Sequence, residues 1–177
     1  SFLTLVGFAF ASLLLAQLLR LPAPVHAVAA GEVRPLRQIL RQPACWAAIA
    51  CAALAYGIMN LLMVATPLAM QVCSHPFASA ALVIEWHVVG MFAPGLVTGS
   101  LITRVGILPV MLAGCVLMLA CVGIALSGVE LMQFLSALFL LGVGWNFMYT
   151  GATTLVTTSY RPAEKSRVQG LMDFCVF

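Results

Sequence analysis

Long apolar runs separated by short polar segments constrain this chain more than any other feature of its sequence. The runs cover residues 2–19, 44–70, 80–103, 107–126 and 131–156, and a further run begins at residue 169. A membrane-spanning helix needs about 20 consecutive apolar residues. Hydrophobic residues make up 63% of the chain and charged residues 7%, whereas a soluble domain carries roughly 25% charged residues. The sequence therefore predicts an all-α, polytopic transmembrane helix bundle.

The placement of the cations predicts the orientation of these spans. All eight Lys and Arg residues fall within 20–41, at Arg104 and within 161–167. These are alternate segments between the runs, so they share one side of the membrane. The positive-inside rule makes that side cytoplasmic. We expect residues 20–43 to form a long cytoplasmic loop, in which 35–42 is a short basic amphipathic helix on the membrane surface.

The first apolar run has a competing interpretation as a secretory signal peptide. Residues 25–29 loosely resemble a small-residue cleavage site, but no basic segment precedes the run. The run is also longer than the roughly 7–15 residues of a signal-peptide core, so we favour a spanning helix. The chain has no initial Met and ends inside an apolar stretch at 171–177. We therefore expect it to be a fragment of a longer protein.

Several functional classes have no support in the sequence. The six cysteines form no C-x-x-C pattern and mostly lie in apolar runs, which favours buried, unreactive thiols over disulfides or a metal site. No phosphate-binding loop, H-E-x-x-H or G-x-S-x-G motif occurs, and the three histidines are scattered. We expect no enzyme, no cofactor, no metal and no nucleic-acid partner.

Residues 90–106 combine closely spaced glycines with a basic turn. Gly95 and Gly99 are four residues apart, a spacing that allows a neighbouring helix backbone to approach. A turn over 102–106 carries Arg104, and another apolar run follows immediately. The stretch predicts two membrane helices joined by a tight basic turn.

The end of this stretch fits the pattern G-x-L-x-x-R-x-G, filled by Gly99, Leu101, Arg104 and Gly106. It resembles the loop signature G-x-L-x-D-R-x-G of the major facilitator superfamily, with Thr103 at the position of the acid. The basic segment 20–43 is similar to the central loop of that family. The polar stretch 160–170 is similar to its loop between helices ten and eleven.

The resemblance implies a secondary transporter that moves a small organic solute by alternating access. It places 2–19 as the last helix of the N-terminal half and 44–177 in the C-terminal six-helix half. The partners would be the lipid bilayer, the solute, protons if transport is proton-coupled, and the missing N-terminal half. The location would be a cell membrane, with the bacterial inner membrane favoured. The alternative is a non-transporting polytopic protein, such as a membrane-embedded enzyme or a scaffold.

Polar and aromatic side chains inside the apolar runs are the candidates for a solute pathway. Polar groups are costly in hydrocarbon and usually face the bundle interior or a water-filled cavity. The i, i+4 spacing puts several of them in pairs on single helix faces, where rings and amides would suit an organic solute. The candidates are Tyr56, Asn60, His87, Met91, Trp145, Asn146 and Tyr149.

Other interpretations of these positions stay open. Asn60 and Asn146 would serve equally well as hydrogen-bonding links between helices, and Trp86 as a membrane-interface residue. Glu85 is either a solvated carboxylate or, with His87, a proton-coupling group.

The loop residues also have two interpretations. Arg104, with Gly99 and Gly106, either sets the topology or contributes to a cytoplasmic gate. Asp173 is either an acid favoured by the helix dipole in the first turn or part of the same gate.

Overall fold

The computed structural model describes residues 2–19 and 33–177. The chain divides into two units, 1–31 and 32–177, which we treat separately. Helix α1, Phe2–Leu18, is the first unit's described element, and it is apolar along its length. Its Ser12 hydroxyl donates to the Phe8 carbonyl at 2.9 Å, so this polar group is satisfied within the helix. Arg20, most of the predicted cytoplasmic loop and residues 25–29 lie outside the described residues.

The second unit consists of helices in its described part, and no strand occurs there. The helices are α2 (Leu36–Leu40), α3 (Pro43–Val72), α4 (Phe77–Phe92), α5 (Gly95–Val105), α6 (Ile107–Ser127), α7 (Leu131–Thr157) and α8 (Lys165–Val176). A short 3₁₀ turn, Pro162–Glu164, precedes α8. The predicted all-α class is confirmed.

Among the described residues, four segments are long and apolar enough to cross a membrane: α3, α4 with α5, α6 and α7. Helix α3 continues through Pro67, as membrane helices tolerate. Large leucines project outward from α3 and α6, including Leu54, Leu61, Leu112 and Leu119, which are all exposed. Such an extensive apolar exterior suits a bilayer and not water.

Helix α7 is the centre of the bundle and packs against α3, α4 and α6. Two glycines of α7 allow its backbone to approach the backbones of α4 and α6 closely. Gly142 and Gly144 are two positions apart, so they face roughly opposite sides of the helix. A Cβ at Gly142 would lie 2.5 Å from the carbonyl oxygen of His87 on α4, and one at Gly144 would lie 2.9 Å from that of Gly114 on α6. These neighbours are backbone atoms, so the close approaches depend on the absence of side chains.

The close approach predicted at Gly99 is not found within the described residues. No atom there lies within 4 Å of a Cβ built at Gly99, and at Gly95 the nearest is Nδ2 of Asn146 at 3.3 Å. The small-residue contacts occur instead at Gly90, Gly114, Gly142 and Gly144. Sequence spacing identifies small residues but not the face of the helix that meets a neighbour.

The basic turn is tighter than the sequence predicts. Helix α5 continues to Val105, and Gly106 alone separates it from α6. The backbone φ of Gly106 is 97°, a left-handed value that favours glycine. Its N–H donates to the Ile102 carbonyl at 2.9 Å and closes the end of α5. The glycine is therefore required by the abrupt change of chain direction.

A buried ion pair joins the segment before α3 to the segment between α7 and α8. Nη2 of Arg34 donates to Oε2 of Glu164 at 2.7 Å, and Nε of Arg34 donates to Oε1 at 2.9 Å. The same carboxylate accepts from the backbone N–H groups of Arg34 and Arg161. Glu164 is 1% exposed, so its charge depends on these donors.

Electrostatics follow this geometry. The guanidinium of Arg34, together with the Arg161 N–H, lowers the pKa of Glu164 to about 2. The hydrogen bond to Glu164 in turn raises the pKa of Arg34. The pair therefore stays charged at any physiological pH.

Candidate functional site

Two aromatic side chains of α7 form a stacked pair. The ring centroids of Trp145 and Tyr149 lie 5.0 Å apart, and the rings are inclined by 11°. The i, i+4 spacing predicts that they share a helix face, and the structure places them there. Both side chains are half-buried, since one side packs against the core.

Helices α3 and α8 bring further groups to this pair. Tyr56 contacts Phe177 edge-on, with ring centroids 4.8 Å apart. Tyr56 packs against the same core as Trp145 and Tyr149, and the charge of Asp173 acts on Tyr149. We refer to Tyr56, Trp145, Tyr149, Asp173 and Phe177 as the aromatic face.

The aromatic face contains an unused hydrogen-bond donor. Nε1 of Trp145 is buried and has no partner among the described residues. Buried polar atoms are nearly always paired, so this N–H lacks the acceptor that a buried donor ordinarily has. Asn60 lies about one turn from Tyr56 on α3, and its side chain is exposed. The amide is available but makes no described contact with the rings.

His87 lies in a different environment, inside the α4–α7 contact. Its side chain is fully buried, and its Nδ1 lies 2.8 Å from the Leu138 carbonyl oxygen. Because a carbonyl can only accept, Nδ1 carries the proton. Nε2 is buried without a partner among the described residues. No described hydrogen bond or ring contact links His87 to the aromatic face.

The neighbours of His87 on α4 are exposed. Glu85 has an exposed side chain, so the two proposed proton-coupling groups face different surroundings. Trp86 is 45% exposed and contacts Phe139 edge-on, with ring centroids 6.2 Å apart. This partly exposed position is compatible with the interfacial interpretation of Trp86.

Asn146 bridges the break between α4 and α5. Its Nδ2 donates to the Met91 carbonyl at 2.7 Å, and its Oδ1 accepts from the Thr98 hydroxyl at 2.7 Å. The break occurs because Pro94 has no N–H for the helical ladder. The side chain is 7% exposed. This geometry favours the linking role that the sequence leaves open for Asn146, and Met91 participates through its backbone.

The gate candidates Arg104 and Asp173 take no part in the Asn146 hydrogen bonds. Arg104 is exposed in the last turn of α5, next to Gly106. Asp173 is exposed in α8. No described hydrogen bond or salt bridge involves the side chain of either residue, although the charge of Asp173 acts on Tyr149.

Metal and disulfide chemistry has no structural basis in the described residues. No group of three or more His, Cys, Asp or Glu is placed there to hold a metal ion. The six cysteines are free thiols, of which Cys45 and Cys121 are buried.

Comparison with known proteins decides the family. The family model described as Major Facilitator Superfamily matches residues 1–177. The chain belongs to the major facilitator superfamily. The resemblance drawn from the loop signature and the central basic segment is thereby confirmed.

Curated relatives within the superfamily are transporters by name. The chain is 44% identical over 144 residues to the riboflavin transporter RfnT of Brucella anthropi, covering 81% of this chain and 36% of that protein. It is 35% identical over 121 residues to the uncharacterized MFS-type transporter YdeG of Bacillus subtilis, covering 67% of this chain and 28% of that protein. The chain thus spans about a third of the length of these relatives. No solved structure matches the chain.

Sequence reasoning missed the most strongly bonded polar pair of this superfamily member. Residues 160–170 stand out as a polar stretch, but Arg34 and Glu164 are 130 positions apart. The available signal was a single acid, Glu164, among the cations Arg161, Lys165 and Arg167. The sequence does not tell which of the cations it meets.

Proposed function

We propose that the full-length protein is a secondary active transporter that works by alternating access. Residues 1–19 would form the last helix of its N-terminal half, and 20–43 the central cytoplasmic loop. Residues 44–177 would belong to the C-terminal half, with α3 to α8 as helices seven to eleven. Superfamily membership, the all-α bundle and the alternating placement of the cations support this assignment.

We infer that the solute is a flat heteroaromatic compound, with riboflavin as the first candidate. The observation that carries this inference is the stacked Trp145–Tyr149 pair, which offers a parallel π surface, beside an unpaired Nε1 donor. A heteroaromatic ring carries both a π face and hydrogen-bond acceptors, so it uses both features. The name of the Brucella anthropi relative supports riboflavin specifically.

Uptake by the full-length protein in proteoliposomes tests the solute class. We expect accumulation of labelled riboflavin, competition by other flat heteroaromatic compounds and none by an aliphatic polyol of similar polarity. Equal competition by the polyol would show that stacking does not select the solute. No uptake of any heteroaromatic compound would remove the proposed substrate class.

The proposal includes proton coupling through α4. Glu85 is exposed and the buried His87 has an unpaired Nε2, so each retains a site for a proton. A pH gradient should drive uptake by the wild-type protein, and Glu85→Gln should weaken that dependence while leaving exchange of solute across the membrane intact. Gradient-driven uptake that survives in both Glu85→Gln and His87→Gln would exclude these residues from coupling.

A gate role for Arg104 and Asp173 belongs to the same proposal. Both side chains are exposed, neither makes a described hydrogen bond or salt bridge, and the turn at Gly106 holds Arg104 at the end of α5. Their partners would come from the N-terminal half. Arg104→Gln should then change the rate of solute exchange more than solute affinity.

A further inference from the structure

The second unit presents a surface of exposed cations at one end of its helices. The cations lie beside the starts of α3 and α8 and the end of α7. They are Arg37, Arg41, Arg161, Lys165 and Arg167, all with exposed side chains. We refer to these five residues as the basic surface.

Two hydrogen bonds make the basic surface continuous although it comes from two segments of the chain. Arg34, before α2, and Gln42, after it, both donate to the Ser159 carbonyl, at 3.1 and 3.0 Å. Ile39 of α2 is 1% exposed and packs into the core. Helix α2 is therefore held against the segment between α7 and α8, and the cations of both segments lie together.

No described acid neutralises this surface. Glu164 lies in the middle of it, but its carboxylate is buried and already occupied by Arg34. Asp173, the next described acid, is six residues beyond Arg167 and eight beyond Lys165 in α8, about 9 and 12 Å along the helix axis. The five exposed cations therefore carry positive charge without a described counter-ion.

The basic surface lies at the depth of lipid headgroups. Trp46, in the first turn of α3, is 63% exposed, and exposed Trp side chains favour the membrane–water interface. Arg41 precedes the first residue of α3 by two positions, and Lys165 begins α8. Cations this close to the ends of apolar helices reach phosphate groups without leaving the interface.

We propose that the basic surface binds the headgroups of anionic phospholipids. A phosphate group supplies the negative charge and the hydrogen-bond acceptors that arginine forks match. Each Lys or Arg near an anionic membrane surface contributes about 1 kcal/mol, which corresponds to roughly fivefold in affinity. This inference does not depend on the identity of the solute.

The experiment uses the full-length protein in phosphatidylcholine nanodiscs to which phosphatidylglycerol is added, with native mass spectrometry to count retained lipids. We expect preferential retention of phosphatidylglycerol that weakens with added salt. Arg37→Gln/Arg41→Gln should lower the apparent affinity roughly 25-fold, from about fivefold per cation. Lys165→Gln/Arg167→Gln should lower the affinity by a similar factor. This second double variant replaces the first in the experiment if the first does not fold.

Arg104→Gln is the matched control, since Arg104 is exposed but belongs to the α5–α6 turn. It should retain phosphatidylglycerol more strongly than either double variant. Equal retention of both lipids by the wild type, or an equal loss in Arg104→Gln, would overturn the proposal. Complete displacement of the lipid by inorganic phosphate would also overturn it, because the surface would then be a site for free phosphate.

Discussion

The carboxylate of Glu164 holds the guanidinium of Arg34 at 2.7 Å across 130 residues of sequence. It also accepts from two backbone N–H groups, those of Arg34 and Arg161, at 3.0 and 2.9 Å. A carboxylate is acceptor-only and has lone pairs for all of these donors. Glu164 therefore fixes both the segment before α2 and the 3₁₀ turn before α8.

Removing this carboxylate should destabilise the end of the bundle. Glu164→Ala removes the acceptor of four hydrogen bonds, and we expect a lower thermal transition and faster proteolysis between residues 33 and 42. The swapped double variant Arg34→Glu/Glu164→Arg should not recover, since arginine cannot accept from the Arg161 N–H. Arg161→Gln is the control, because that residue participates through its backbone. Full recovery in the swapped variant would show that charge pairing alone matters.

Stability should fall in a defined acid window. The pKa of Glu164 is lowered from 4.5 to about 2 in the folded protein. A carboxyl group whose pKa is lower in the folded protein stabilises the fold at pH values above its unfolded-state pKa. This contribution is lost as the pH falls towards the folded-state pKa. The difference in thermal transition between wild type and Glu164→Gln should be constant above pH 4.5 and shrink towards pH 2. A difference independent of pH would contradict the assignment.

The apolar runs of the sequence correspond closely to the helices because hydrocarbon demands internally bonded backbones. The run 107–126 corresponds to α6 at Ile107–Ser127. The sequence predicts one span over 80–103, and α4 with α5 form one such segment, Phe77–Val105, which is interrupted at Pro94. The break is stabilised by Asn146, which comes from another helix, and that contact is tertiary.

Part of the candidate site was predictable from the sequence because it depends on the geometry of a single helix. Trp145 and Tyr149 stack because one helix turn separates them, which is a local property. The proximity of Tyr56 and Asp173 to Tyr149 depends on how α3 and α8 pack against α7. The burial of His87 follows from the close α4–α7 contact at Gly142, which periodicity does not show. Sequence therefore finds the pairs on one helix and misses the contacts between helices.

The glycine contacts of α7 predict a sharp contrast between substitutions. A Cβ at Gly142 would lie 2.5 Å from the His87 carbonyl oxygen, whereas Gly57 has no atom within 4 Å of its Cβ position. Gly142→Ala should destabilise the fold by about 1–3 kcal/mol through overpacking. Gly57→Ala should be neutral or stabilising, since Ala favours a helix by up to about 1 kcal/mol. Unfolding in a denaturant series measures both.

Gly99 provides a second comparison in the same experiment. Its Cβ position is open within the described residues, so Gly99→Ala should not disturb the α3–α8 bundle. If Gly99→Leu nevertheless abolishes transport by the full-length protein, the contact involves a part of the protein outside the described residues. Equal destabilisation by Gly142→Ala and Gly99→Ala would contradict the packing described for α7.

Cysteine labelling tests the proposed orientation. Cys73, at the end of α3, is half-exposed in a loop without Lys or Arg, and Cys175 is exposed in α8. An impermeant maleimide added to intact cells should modify Cys73 and leave Cys175 unmodified until the membrane is permeabilised. Cys45 is buried and so should stay protected in either orientation. Labelling of Cys175 without Cys73 would invert the topology.

If the aromatic face holds the solute, substitutions in it should weaken the apparent affinity for riboflavin measured per folded transporter. Losing one stacking partner costs on the order of 1–3 kcal/mol, roughly 5- to 150-fold. Trp145→Ala should weaken the affinity by that factor with little loss of folded protein. Trp145→Phe should retain part of the affinity. Phe139→Ala, elsewhere on α7, should leave the affinity unchanged. Less folded protein with wild-type affinity in Trp145→Ala would contradict the account and assign Trp145 to packing alone.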